Sequence, residues 1–101
     1  MLISCYFVAQ IQIHDENEYK KYLDKVDEVF KNFKGKYLVV DENPTVLEGE
    51  WLYGRMIIIQ FPDENEFRRW YESPEYKAIL KHRLKAAKCD TLLVKGLAEA
   101  D

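Results

Sequence analysis

Histidine and cysteine are nearly missing from this chain, two of each in 101 residues, and proline and glycine are scarce at three and four. So few ligand-type side chains leave the familiar metal frameworks out. There is no paired CxxC and no HExxH, and neither Cys5 nor Cys89 lies beside a second cysteine or a histidine at ligand spacing. Both cysteines fall in apolar, strand-like segments and are expected as buried thiols of a reducing cytoplasm, not as a disulfide or a nucleophile. The glycines form no phosphate-cradling loop and no GxSxG turn. No apolar run approaches the roughly 18 residues that span a bilayer, so no membrane partner is expected. The first residues lack the basic start and small-residue cleavage site of a secretory signal, and the expected location is the cytoplasm. An excess of positive charge is also absent. Fifteen basic against eighteen acidic residues give a net charge of −3, which argues against a nucleic-acid partner.

What the chain does have is a globular composition, 48% hydrophobic and 33% charged. The length suits one domain over residues 1–101, with no second domain to hold a cofactor, and none is expected. The tail, 97–101, is read as loose. A chain this short buries a small share of its surface, so a partner's surface is a natural source of extra stability.

The most informative feature is an internal repeat. Ile11 to Asp24 reads IQIHDENEYKKYLD and Ile59 to Glu72 reads IQFPDENEFRRWYE, with six of fourteen positions identical. Each copy reads as the end of a strand, a cap and the first turns of a helix. Asp15 and Asp63 are the expected N-caps, with Glu18 and Glu66 completing capping boxes and favouring the positive end of the helix dipole.

Around the copies, Ile3 to Ile13 places apolar residues at every odd position, the period of a half-buried strand. A helix is expected from Glu16 to Phe33, with Tyr19, Tyr22, Leu23, Val26, Val29, Phe30 and Phe33 on one stripe. Gly35 would stop it, and Lys36 to Val40 would be the second strand. Arg55 to Phe61, almost continuously apolar, reads as a central strand. Ser73-Pro74-Glu75 restarts the second helix, as cap, N1 proline and first-turn acid, and Tyr76, Ile79, Leu80, Leu84 and Ala87 carry its inner face. Thr91 to Lys95 is the expected last strand.

The order βαββαβ with right-handed crossovers predicts an α+β, ferredoxin-like fold: a four-stranded antiparallel sheet, first and third strands central, both helices on one face. The helix-free face would then carry Tyr6, Val8, Gln10, Gln12, Met56, Ile58 and Gln60. That mixture is too apolar to stay bare, and a second copy covering it through the same face would make a two-fold homodimer.

Candidate site residues are few. His14 ends the first strand beside the Asp15 cap, where the helix dipole favours a neutral imidazole that could serve as a base; its alternative is a loop residue without a role. His82, among Lys81, Arg83 and Lys85, reads as solvated. Arg83 lies along the buried stripe, seven residues after Tyr76, and must find a carboxylate, for which Glu48 is a candidate, backbone carbonyls or a ligand anion, unless its stem packs while its head snorkels out to solvent. Tyr71 and Tyr76 flank the helix break, where a hydroxyl could face a cavity; Trp51 and Trp70 line a pocket or fill the core.

The string Trp70-Tyr71-Glu72-Ser73-Pro74-Glu75-Tyr76 followed by Arg83 resembles the hallmark of the bacterial family called domain of unknown function 1330. So do Leu47-Glu48-Gly49 with Trp51, the Phe61-Pro62 strand end, and Asp15, Tyr19 and Tyr22. The resemblance runs from about Tyr6 to Gly96 and implies a dimeric α+β barrel. It carries no established activity, and the fold-level relatives it implies, cofactor-free monooxygenases and small isomerases, are an analogy only. The chain departs from the pattern at Val40-Asp41-Glu42, where the family usually shows an arginine and two glycines. A negatively charged substrate is therefore less expected here, or must rely on Arg83 and Arg55.

Two functions are expected from this reading. One is a small cofactor-free enzyme on an organic metabolite, with His14 or Tyr76 moving a proton and Arg83, Arg55, Tyr71, Trp51 and Glu48 binding the ligand. The other is a non-catalytic ligand-binding or stress-related interaction module. In a third reading, the same polar residues only fasten the fold.

Overall fold

Both copies of the repeat open a helix in the same way. The side chain of Asp15 accepts the Glu18 N–H at 3.0 Å, and that of Asp63 accepts the Glu66 N–H at 2.9 Å. The reciprocal half of the expected box is replaced. The Asp15 N–H donates to the Ala86 carbonyl, while the Glu18 side chain turns to His82 and Lys21. Glu66 likewise pairs with Arg69 and accepts the Lys34 N–H. The two glutamates thus tie each helix start to neighbouring segments. His82, expected as solvated, is one of the ties, its Nδ1 lying 2.5 Å from Glu18 Oε2.

The computed structural model describes residues 3–97. Its order is β1 (Cys5–Ile13), α1 (Glu16–Phe30), β2 (Lys36–Asp41), β3 (Arg55–Phe61), α2 (Glu64–Tyr71), α3 (Pro74–Ala86) and β4 (Ala87–Lys95). The sheet runs β2-β3-β1-β4, antiparallel throughout, with the first and third strands central as expected. The fold is α+β and ferredoxin-like. Most of the tail expected to be loose, from residue 98 on, lies outside the described residues.

Three boundaries differ from the sequence reading. Helix α1 stops at Phe30 instead of Phe33, and Gly35 is not a left-handed cap, since among the described residues only Gly49 has positive φ. Gly35 is instead a close-approach position: an added Cβ would lie 2.4 Å from the Phe30 ring and 2.8 Å from Phe61. Strand β4 begins at Ala87, four residues ahead of the expected Thr91, because the chain leaves the helix directly into extended backbone. Ala86 and Ala87 are small and buried there, which lets the helix end abut the Ile13 end of β1. Between β2 and β3 the chain makes an arm, residues 42–54, without the strand pairing that a hairpin would show.

The core lies between the sheet and the helices. Trp70, Tyr19, Tyr76, Phe61 and Ile11 are its largest fully buried side chains, and the Trp70 and Tyr76 rings sit 4.2 Å apart. Cys5 is buried and Cys89 half-buried, both as free thiols; burial pushes the Cys5 thiol above its ordinary value. That shift disfavours the thiolate a nucleophile requires.

Candidate functional site

The buried stripe of α3 brings Tyr76, Ile79 and Arg83 to one side, facing α1 and the sheet. Arg83 is only 2% exposed, and its Nη1 and Nη2 make no well-formed hydrogen bond among the described residues, the Tyr76 hydroxyl lying beside the guanidinium without closing one. The expected Glu48 partner does not reach it. Glu48 sits on the 42–54 arm against Gln10 and Met56, which face away from the helices. The Arg83 guanidinium instead lies over the Tyr22 ring, 5.8 Å from its centroid.

The space in front of it is a cavity of about 30 Å³ lined by Arg83, Arg55, Tyr19, Tyr22, Tyr37 and Ile57, among others. Arg55 enters from the first position of β3, opposite Ile11 in register, and so points to the helix side of the sheet. Its Nε is buried without an acceptor, its guanidinium lies 5.8 Å from the Tyr19 centroid, and its Nη1 is 2.7 Å from Glu42 Oε1. Arg55 and Ile11 also border an outer cleft of about 410 Å³, whose walls include Gln12, Glu16, Glu42, Leu52 and Gly54.

Phenols surround the buried guanidinium. The Tyr22 and Tyr76 hydroxyls are 2.7 Å apart in a bond that either can donate. Burial holds the Tyr22 pKa well above its ordinary value and raises those of Tyr76 and Tyr19; Tyr37 is pushed up to about 12, again by burial. At neutral pH these groups are therefore neutral hydrogen-bonding partners and not bases. Desolvation works against the Arg83 cation, and its pKa still lies above the ordinary arginine value because Tyr76 and Tyr22 would ionise to phenolates beside it before it could lose its proton. The site is rich in donors and short of any negative charge. It suits an oxygen anion.

The residues singled out from the sequence are not all brought together. Arg83 and Arg55 share the inner cavity, and Tyr76 touches it through Tyr22. Tyr71 is half-buried in a stack with Phe67 and Phe7, beside Trp70. Trp51 and Glu48 line a separate cavity of about 430 Å³ on the opposite side of the sheet, under the arm. His14 is exposed and borders none of these three cavities; its N–H donates to the Ala86 carbonyl. The sequence reading missed Tyr19, Tyr22 and Tyr37, taken as core or strand, and Glu42. The available signal was the use of tyrosine, not phenylalanine, at inward positions, since each buried phenol needs a partner. Among the described residues no group of three His, Cys, Asp or Glu converges to hold a metal ion, and no helix is long and apolar enough to cross a membrane.

Comparison with known proteins agrees with this architecture. The chain is similar in structure to a protein of unknown function from Rhodopseudomonas palustris, at TM-score 0.75 and 18% identity, covering 96% of this chain and 85% of that one. SnoaB, a cofactor-independent oxygenase from Streptomyces nogalater, matches with TM-score 0.68 and 14% identity over 96% of both chains. A dimeric ferredoxin-like protein of unknown function from Thermobifida fusca matches with TM-score 0.63 and 14% identity, covering 95% of this chain and 92% of that one. At such identities the likeness concerns the fold alone. No curated protein matches the chain. A family model, domain of unknown function (DUF1330), matches residues 4–97, and the chain belongs to that family.

Proposed function

We propose that this chain is a homodimeric small-molecule-binding protein in which Arg83 receives an oxygen anion of an organic ligand. The observation that carries this reading is the unpaired, 2%-exposed guanidinium facing a cavity. Burying a cation without an opposite charge costs several kcal/mol, so its retention is best explained by what it binds. A bidentate carboxylate would satisfy Nη1 and Nη2 together. Calorimetric titration with pentanoate tests the proposal: saturable binding to the wild type that disappears in Arg83→Met supports it, and no binding to the wild type overturns it.

A second reading, a cofactor-free enzyme on an organic metabolite, draws on the likeness of fold to SnoaB and to a putative antibiotic biosynthesis monooxygenase of Bacteroides. On this reading Arg83 orients an oxygen of the substrate, and Tyr22, its hydroxyl bonded to that of Tyr76, lends the same oxygen a hydrogen bond with no net proton transfer. His14 takes no step in it, being outside the cavities. The binding reading is favoured because every phenol at the cavity has a raised pKa and no base stands among its walls. A metabolite screen that yields turnover lost in both Tyr22→Phe and Arg83→Met would reverse that preference.

The dimer is proposed to form through the helix-free face. Register places Val8, Leu92, Ile58 and Val39 side by side across all four strands. Leu92 is 61% exposed in the single chain, and Val94 and Leu38 lie exposed nearby. A continuous apolar surface of this kind is normally covered by a partner.

A further inference from the structure

The two cavities on the helix side of the sheet have opposite character, and Arg55 borders both. Among the described residues no carboxylate lines the inner cavity, and there Arg83 Nη1 and Nη2 and Arg55 Nε have no well-formed hydrogen bond. The outer cleft carries Glu16 and Glu42 on its walls, with Arg55 as its single basic lining residue. At about 30 Å³ the inner cavity has room for roughly two water molecules, which is close to the size of one carboxylate. The two cavities share Arg55 and Ile11 on their walls, so an organic ligand seated on Arg83 has a route past Arg55 into the outer cleft. There it meets the Arg55–Glu42 ion pair, in which Glu42 is 77% exposed and therefore weakly held.

From this arrangement we propose that the ligand is a zwitterion, a short aminocarboxylate, with its carboxylate between Arg83 and Arg55 and its ammonium at Glu42 and Glu16. The inference rests on the reading of Arg83 as the oxyanion site and adds the chemistry of the ligand's other end. Counting charges decides among ligand types. A monocarboxylate that draws Arg55 inward leaves Glu42 unpaired at the rim. A dicarboxylate adds a second negative charge beside Glu16 and Glu42. An aminocarboxylate replaces both halves of the ion pair, its carboxylate standing in for Glu42 and its ammonium for Arg55. Ile13 and Leu52 provide apolar wall along the cleft for the methylenes between the two charges.

Three probes with the same three-methylene spacer separate these cases: 4-aminobutyrate, pentanoate and glutarate, each titrated calorimetrically into the full chain. The expected order is 4-aminobutyrate about tenfold tighter than pentanoate, and glutarate weaker than pentanoate. In Glu42→Gln, an exposed substitution that leaves the core untouched, the preference for 4-aminobutyrate is expected to collapse, with pentanoate bound as well as before or better. Pentanoate or glutarate binding as tightly as 4-aminobutyrate would overturn the inference, as would a preference that survives in the double variant Glu16→Gln, Glu42→Gln. If pentanoate binds in an Arg83-dependent manner without any preference for the amine, only the zwitterion falls. If none of the three binds, the oxyanion reading falls with it.

Discussion

Arg83 threads its stem through the apolar contact between α1 and α3, and the nitrogens at its tip make no well-formed hydrogen bond among the described residues. An arginine kept for structure would carry a carboxylate, because an unpaired buried cation destabilises the fold that holds it. The same logic applies to the phenols beside it. Replacing Tyr22 by phenylalanine removes the Tyr76 hydroxyl's only hydrogen-bond partner among the described residues; the expected loss is about 1 kcal/mol, read as a shift of the urea midpoint. Gly35→Ala is expected to cost more, about 1–3 kcal/mol, because the new methyl meets two aromatic rings that the core already fixes. At this scale the sequence was partly legible. The position of Arg83 on the inner stripe followed from its spacing to Tyr76 and Ile79, while the choice between a buried head and a snorkelling one did not. Its missing partner was not legible, because whether Glu48 can reach it depends on which side of the sheet the 42–54 arm falls. Nothing in the spacing of Glu48 encodes that side.

Between elements, the doubled Asp-Glu-Asn-Glu signature works as two separate devices. The aspartates cap α1 and α2 as read from the sequence, while the glutamates that follow reach outward to hold α1 to α3 and the Lys34 segment to α2. The hydrogen bond from His82, then that from Lys21, lowers the Glu18 pKa below its ordinary 4.5, and Arg69 does the same for Glu66. A carboxylate whose folded pKa is depressed adds stability above its unfolded value and loses it as pH falls through the folded one. Urea midpoints should therefore drop as pH is lowered from 5 toward 3, and the drop should shrink in Glu18→Gln. An equal drop in that variant would assign the acid sensitivity to other groups. The repeat made the caps legible because the cap bonds are local, three residues apart. The Glu18–His82 contact spans sixty-four residues and depends on how the two helices pack, which periodicity does not report. The start of β4 was hidden for a related reason. Ala87 and Lys88 suit a helix by propensity, and the strand wins there by pairing with Ile13 and Gln12.

For the molecule as a whole, the order of elements decided the topology, and every strand fell in its expected place in the sheet. The account then makes two claims about what the sheet separates. Its bare face is proposed to be covered by a second copy, so Leu92→Lys, placing a charge among Val8, Val94 and Ile58, should turn a dimer into a monomer in sedimentation at micromolar concentration. A wild type that sediments as a monomer would remove that claim. Its helix-covered face holds a cation for a ligand, and the melting temperature of Arg83→Met is the most direct measure of it. With the charge replaced by a side chain of similar length, the account predicts a melt at or above that of the wild type, together with loss of the rise that pentanoate gives the wild type. A melt several degrees lower, in a chain of a size where 1 kcal/mol corresponds to roughly 4–8 °C, with no pentanoate effect on the wild type, would make Arg83 a structural residue and contradict the account.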